Sequence, residues 1–174
     1  MRTIVLNSNN VVQNGQNNTL VYSFPGAGAK IENSYVAVAS VSMYYSWFNI
    51  SSTYGNNILQ YTWTVGGVST TYNVGTNGVI PDGLYEVSTL NQLLQYTMIA
   101  NGHYLVNSAT GQNVYFAELL VNDARYRIQV NTFAVPTALP SGYTAPSAFA
   151  GYPTVTTSPA VYIPSGMGTI LGFP

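Results

Sequence analysis

The sequence predicts an all-β fold, a β-sandwich or jelly roll of about eight antiparallel strands carrying one short helix. Three observations lead there. A long stretch from Ser34 to Ile50 alternates with period two, shorter alternating runs bounded by Gly, Pro and Asn recur along the chain, and a single segment shows helical spacing.

In SYVAVASVSMYYSWFNI, successive side chains of a strand point to opposite faces. One face is then Tyr35, Ala37, Ala39, Val41, Met43, Tyr45 and Trp47, which is continuously apolar; the other is mixed. A helix would scatter Ser40 and Ser42 around the apolar stripe and crowd the β-branched and aromatic residues. The stretch is therefore expected as a long central strand, with Tyr45 and Trp47 buried.

The other elements follow in order. Thr3 to Leu6 reads as a short strand, and Asn14-Gly15 as a tight turn in an Asn- and Gln-rich region. Thr19 to Phe24 alternates, with Leu20, Tyr22 and Phe24 inward. Asn56 to Val65 places Leu59, Tyr61, Trp63 and Val65 on one side. Gly66-Gly67 signals a hairpin whose return strand is Val68 to Val74. Pro81-Asp82-Gly83 is a turn, and Leu84 to Val87 extends after it. Thr89 to Ala100 is the helix: Leu90, Leu93, Leu94 and Met98 share a face, Thr89 with Gln92 fits a capping box, and Asn101-Gly102 supplies the stop. His103 to Asn107, Asn113 to Val121 and Arg125 to Phe133 are strands, the last with Tyr126, Ile128 and Val130 inward. Seven of the nine prolines lie from Pro136 onward, so most of Ala134 to Pro159 is expected as loop. Short strands are expected to return at Ala160 to Ile163 and Thr169 to Phe173.

The 174 residues suit one domain, 1–174, large enough for a substantial core. The hydrophobic fraction is 47%, which excludes a disordered chain. Charged residues make up only 5%, against about 25% in an average soluble protein. So few charges protect a lone monomer poorly against association, which points to surface covered by partner subunits or to one rich in Ser, Thr and Asn. The only cations are Arg2, Lys30, Arg125 and Arg127, too few for a phosphate-tracking patch, so direct nucleic-acid binding is not expected. The absence of cysteine removes disulfides, thiol nucleophiles and cysteine metal sites. The N-terminal apolar run is too short for a signal-peptide core, and no segment reaches the ~20 apolar residues of a membrane span.

Catalytic and cofactor sets are not expected. His103 is the sole histidine, which precludes a histidine-rich metal site within one chain, and its place at a strand start reads as structural. Glu86 and Glu118 could form a glycosidase-like carboxylate pair, but each reads better as a structural polar residue. Glu118, Asp123, Arg125 and Arg127 gather four of the nine charges in ten residues. They read either as a salt-bridge patch at a subunit interface or as a solvated strand face worth ~0–1 kcal/mol per pair. Asn17-Asn18-Thr19 and Asn49-Ile50-Ser51 match the glycosylation pattern, which an Asn-rich chain matches easily by chance.

Five runs in order resemble the penton (minor capsid) proteins of mavirus-like virophages and Polinton-type elements. They are TIVLNSNN, TLVYSFPGAGAKIENSYVAVASVSMYYSWFNI, VIPDGLYEVSTLNQLLQYTMIANGHYL, NVYFAELLVNDARYRIQV and the terminal ILGF. The resemblance covers most of the chain, with Pro136 to Pro164 the least distinctive part. It implies a single jelly roll that assembles as a homopentamer at the fivefold vertices of an icosahedral virion, beside double-jelly-roll major capsid proteins. Its motifs are fold-level ones, specific for the family and silent on chemistry; that no cofactor, catalysis or membrane insertion is expected follows from the residues above. Members of that family commonly continue past the ILGF segment, so an end at Pro174 marks a short relative or a piece lacking a C-terminal domain. The alternative reading is a secreted carbohydrate-binding β-sandwich whose exposed tyrosines line a groove.

Overall fold

A computed structural model describes residues 4–10, 12, 19–23, 35, 37–40 and 48–173. It divides into two compact units, Met1–Met43 and Tyr44–Pro174.

In the first unit, Ser8–Asn10 forms a 3₁₀ turn whose amides are held locally: Asn7 N–H donates to Asn10 Oδ1 at 2.9 Å, and Asn9 N–H to Asn7 Oδ1 at 3.0 Å. Beyond it, Val12 N–H donates to Thr19 O and Val21 N–H to Asn10 O, both at 2.8 Å, so these segments run antiparallel side by side. The expected strand at Thr3 to Leu6 is not formed by Ile4, Val5 and Leu6, which are exposed coil. Leu20 and Tyr22 are likewise exposed rather than inward. Of the expected long strand, Tyr35, 37–40 and 48–50 are described; none lies in a strand, Ile50 making only an isolated bridge to Gly83, and Tyr35 is fully exposed. The Asn14-Gly15 turn, Phe24, Tyr45 and Trp47 lie outside the described residues.

Among its described residues, the second unit is built mostly of strands in small antiparallel sheets, with two short helices. Its strands are β1 Gln60–Val65, β2 Val68–Asn73, β3 Tyr104–Asn107, β4 Asn113–Tyr115, β5 Ala117–Asn122, β6 Arg127–Thr132, β7 Tyr143–Thr144 and β8 Val161–Tyr162; its helices are α1 Val87–Ala100 and α2 Ser165–Leu171. They join as β2-β1-β8, β4-β3-β7 and the pair β5-β6.

The β1–β2 hairpin turns on Gly66 and Gly67, both at positive φ, the backbone that a two-residue turn needs to match strand twist. Along β1, Tyr61 and Trp63 are buried as the alternation predicts, with Leu59 before them, whereas Val65 is partly exposed at the hairpin end. Strand β2 is an edge and is exposed along most of its length.

Helix α1 starts two residues before its expected position. Glu86 is its N-cap and its side chain makes no capping bond, so the Thr89/Gln92 box is not used. Leu90, Leu94 and Met98 are buried at spacings of four, and Leu93 packs beside them. The helix lies against β5, where Asn91 Oδ1 accepts from Leu119 N–H at 2.9 Å. It stops at Asn101 and Gly102. Gly102 has φ +69° and sits against the Ala148 backbone so closely that a Cβ would collide with the carbonyl.

Asn113 to Val121 is not one strand. It breaks at the buried Phe116, so that β4 pairs with β3 while β5 pairs with β6. The Phe116 carbonyl accepts from Phe133 N–H, which keeps the break satisfied. Two apolar environments lie on either side of that residue, and alternation cannot register such a change of sheet.

The proline-rich region is mostly loop, pinned by the Val135–Thr157 bridge and the short β7. Strand β8 returns as expected and pairs with β1. The expected strand at Thr169 to Phe173 is instead α2. Pro164 precedes it, and Met167 and Leu171, four apart, are buried with Gly168. Gly172, at φ +83°, ends it. The core joins Leu59, Tyr61, Trp63, Leu94, Met98, Leu105, Leu119 and Met167 with their neighbours.

Candidate functional site

The β5–β6 hairpin carries the charge cluster. Its ladder runs from Ala117↔Thr132 to Asn122↔Arg127, which leaves residues 123–126 as the loop. The loop closes with Arg125 N–H donating to Asn122 O and Tyr126 at φ +50°, a left-handed conformation uncommon outside glycine. Tyr126 therefore belongs to the turn, not to an inward strand position, and its side chain is 94% exposed. Ile128 is buried and Val130 half-buried, as predicted.

Beneath this turn lies an open cleft of about 330 Å³. Its apolar floor is Ile50, Leu90, Ile128 and Leu171, all buried. Around the mouth stand Val121, Asp123, Tyr126, Arg127 and Ile170. Gly172 lets the chain after α2 pass the turn: a Cβ there would come within 2.6 Å of Arg127 Cβ and 3.2 Å of Tyr126 O.

The four expected interface residues are not one cluster. Arg127 is half-buried at the cleft, and Asp123 is exposed at its rim. Arg125 is exposed in the turn. Glu118 sits at the far end of the hairpin, four ladder steps or about 13 Å from the Arg127 position, and accepts from Asn131 Nδ2 at 3.0 Å. Among the described residues, neither Arg125 nor Arg127 makes an ion pair. Glu86 is exposed before α1; neither it nor Glu118 lines the cleft.

His103 is sealed in the core. Its Nδ1 lies 2.7 Å from Tyr61 Oη, its ring stacks on Trp63 at 4.5 Å and 14°, and Tyr72 meets it edge-on at 4.5 Å. Burial pushes its pKa down to about 4, so the ring is neutral at physiological pH. Burial, with Tyr72 beside it, raises the Tyr61 phenol. A histidine fully enclosed by aromatic rings cannot meet a substrate without the core opening.

Asp82 clamps a second loop. It accepts from Ser52 N–H at 2.7 Å and from the Ser51 and Ser52 hydroxyls at 3.1 Å each, bonds that hold its pKa below the usual range. Asn49, in the second glycosylation match, is committed to Tyr85: Nδ2 donates to Tyr85 O at 2.7 Å, and Oδ1 accepts from Tyr85 N–H at 2.8 Å. These bonds, with the Ile50–Gly83 bridge, fix one wall of the cleft.

Among the described residues, no three His, Asp or Glu side chains gather as a metal site, and no helix is long and apolar enough to cross a membrane. Set against family models, curated proteins and solved structures, the chain matches none.

Tyr126, Ile170 and Leu171 were not foreseen as lining a site. The signal was in the sequence: Pro164, then Met167 and Leu171 four apart, then Gly172, is a short-helix pattern.

Proposed function

We propose that the chain is a structural virion subunit, a single jelly roll that assembles as a pentameric penton beside a double-jelly-roll major capsid protein. The observation that carries this reading is the union of scarce charge with large exposed apolar side chains. Charge makes up 5% of the sequence, while Tyr35, Val38, Val68, Tyr96, Tyr126 and Val155 are each at least 69% exposed. Single exposed apolar residues are ordinary, but so many of them with few charges favour a surface covered by other subunits.

The break at Phe116, where one segment passes between two sheets, supports a multi-sheet β-fold of the kind that turns corners in this way. The enclosure of His103 supports a structural rather than catalytic role for the sole histidine. Tyr54, Tyr96 and Tyr162 lie exposed on separate elements, which favours contact surfaces over a single sugar-binding groove. Negative-stain electron microscopy of the purified protein tests the proposal. Fivefold class averages are expected; a field of single small particles at micromolar concentration contradicts it.

A further inference from the structure

We infer that the cleft between the β5–β6 turn and α2 is a docking site for a short segment of a partner polypeptide, an aliphatic anchor followed by an acidic residue. The inference does not depend on the capsid reading. The anchor is dictated by the floor, because Ile50, Leu90, Ile128 and Leu171 offer no polar side-chain atom to an entering group. At about 330 Å³ the cleft has room for one or two aliphatic side chains, with Val121 and Ile170 extending the apolar surface at its mouth.

The acidic flank follows from charge complementarity. Arg127 stands at that mouth half-buried and without an ion pair, in a chain with four cations in all. A planar guanidinium takes a carboxylate through two parallel N–H···O bonds, and this is stronger beside an apolar wall than in open water. Asp123 on the same rim sets a polarity: the incoming carboxylate must lie on the Arg127 side, and a second acidic residue toward Asp123 is disfavoured.

The walls are prearranged. Asn49 and Asp82 bond the loops on one side, Tyr126 is fixed in its left-handed turn, and Gly172 permits α2 to close against Arg127. A preformed cleft loses little conformational freedom on binding.

Fluorescence anisotropy on the intact chain provides the test, with labelled heptapeptides containing Leu-Leu-Asp, Leu-Leu-Lys or Ser-Ser-Asp at their centre. The Leu-Leu-Asp peptide is expected to bind, the Lys version about tenfold more weakly, and the Ser version not measurably. Arg127→Gln removes the preference for Asp over Lys while keeping the aliphatic contact. Asp123→Asn tightens the acidic peptide, and Ile170→Asp blocks every peptide with the thermal midpoint little changed. No binding by any peptide, equal binding of the Asp and Lys versions, or binding insensitive to Arg127→Gln overturns the inference. If peptides fail to bind while Ile170→Asp dissociates an oligomer seen by light scattering, a second copy of the chain covers the cleft and the inference is wrong. Peptide anisotropy reads the cleft and light scattering reads assembly, so either proposal can fail alone.

Discussion

Tyr61 Oη and His103 Nδ1 meet at 2.7 Å inside a cage formed by Trp63 and Tyr72. That bond joins β1 to the residue that follows the α1 stop, so two elements far apart in sequence are fixed by a polar contact in an apolar core.

The acid dependence of stability follows from the burial of that ring. His103 titrates at about 4 in the folded chain, against 6.5 when unfolded. Above the unfolded value both states are neutral and the full stability is present. As pH falls through that window the unfolded chain takes up a proton that the folded one refuses, so stability is lost until the folded ring also titrates. The loss amounts to at most about 3 kcal/mol. Thermal midpoints recorded at half-unit steps should fall across this range, and His103→Phe should flatten the slope. An unchanged slope would detach the effect from this ring.

Asp82 behaves with the opposite sign of charge. Its depressed pKa means that its contribution is present above the ordinary carboxylate range and lost as pH falls below it. Asp82→Ala should lower the thermal midpoint near neutrality and speed amide exchange at Ser52, whose N–H it accepts. Asp82→Asn, which keeps one acceptor oxygen, should do less. Equal exchange in wild type and Asp82→Ala would mean that the clamp is dispensable.

Core substitutions separate helix packing from backbone constraint. Leu94→Ala removes a fully buried side chain from α1 and should cost about 2–5 kcal/mol in denaturant unfolding. Gly102→Ala removes nothing, yet it should cost more than about 1 kcal/mol, because the backbone is left-handed there and the Ala148 carbonyl occupies the space. A neutral Gly102→Ala would show that the helix stop does not rest on that contact.

Glu118 and Arg127 should be energetically independent. They sit at opposite ends of the β5–β6 ladder, and Glu118 already accepts from Asn131. A double-mutant cycle with Glu118→Ala and Arg127→Ala should give a coupling within about 0.5 kcal/mol of zero. A larger coupling would require an ion pair that this hairpin geometry does not allow.

The parts of the fold legible in sequence are those whose signals are local. The Gly66-Gly67 hairpin, the apolar face of α1 and the burial of Tyr61, Trp63 and Ile128 follow from turn chemistry and period alone. Elements decided by tertiary context were not legible. Phe116 ends one pairing and begins another within an unbroken apolar run. The segment before Gly172 is apolar enough for a strand, but its buried residues fall four apart. Of the site, the sequence located the charges but not their spread: alternation placed Arg125, Tyr126 and Arg127 on one strand, whereas the hairpin closes with 123–126 as its loop. The cleft floor draws on Ile50, Leu90, Ile128 and Leu171, from four separate stretches of the chain, and no linear pattern links them.

Native mass by multi-angle light scattering on the purified chain tests the assembly claim most directly. A species about five times the 18.7 kDa of one chain, or a concentration-dependent rise toward it, is expected. A single species at the mass of one chain, unchanged up to high micromolar concentration and at both low and physiological salt, would contradict it.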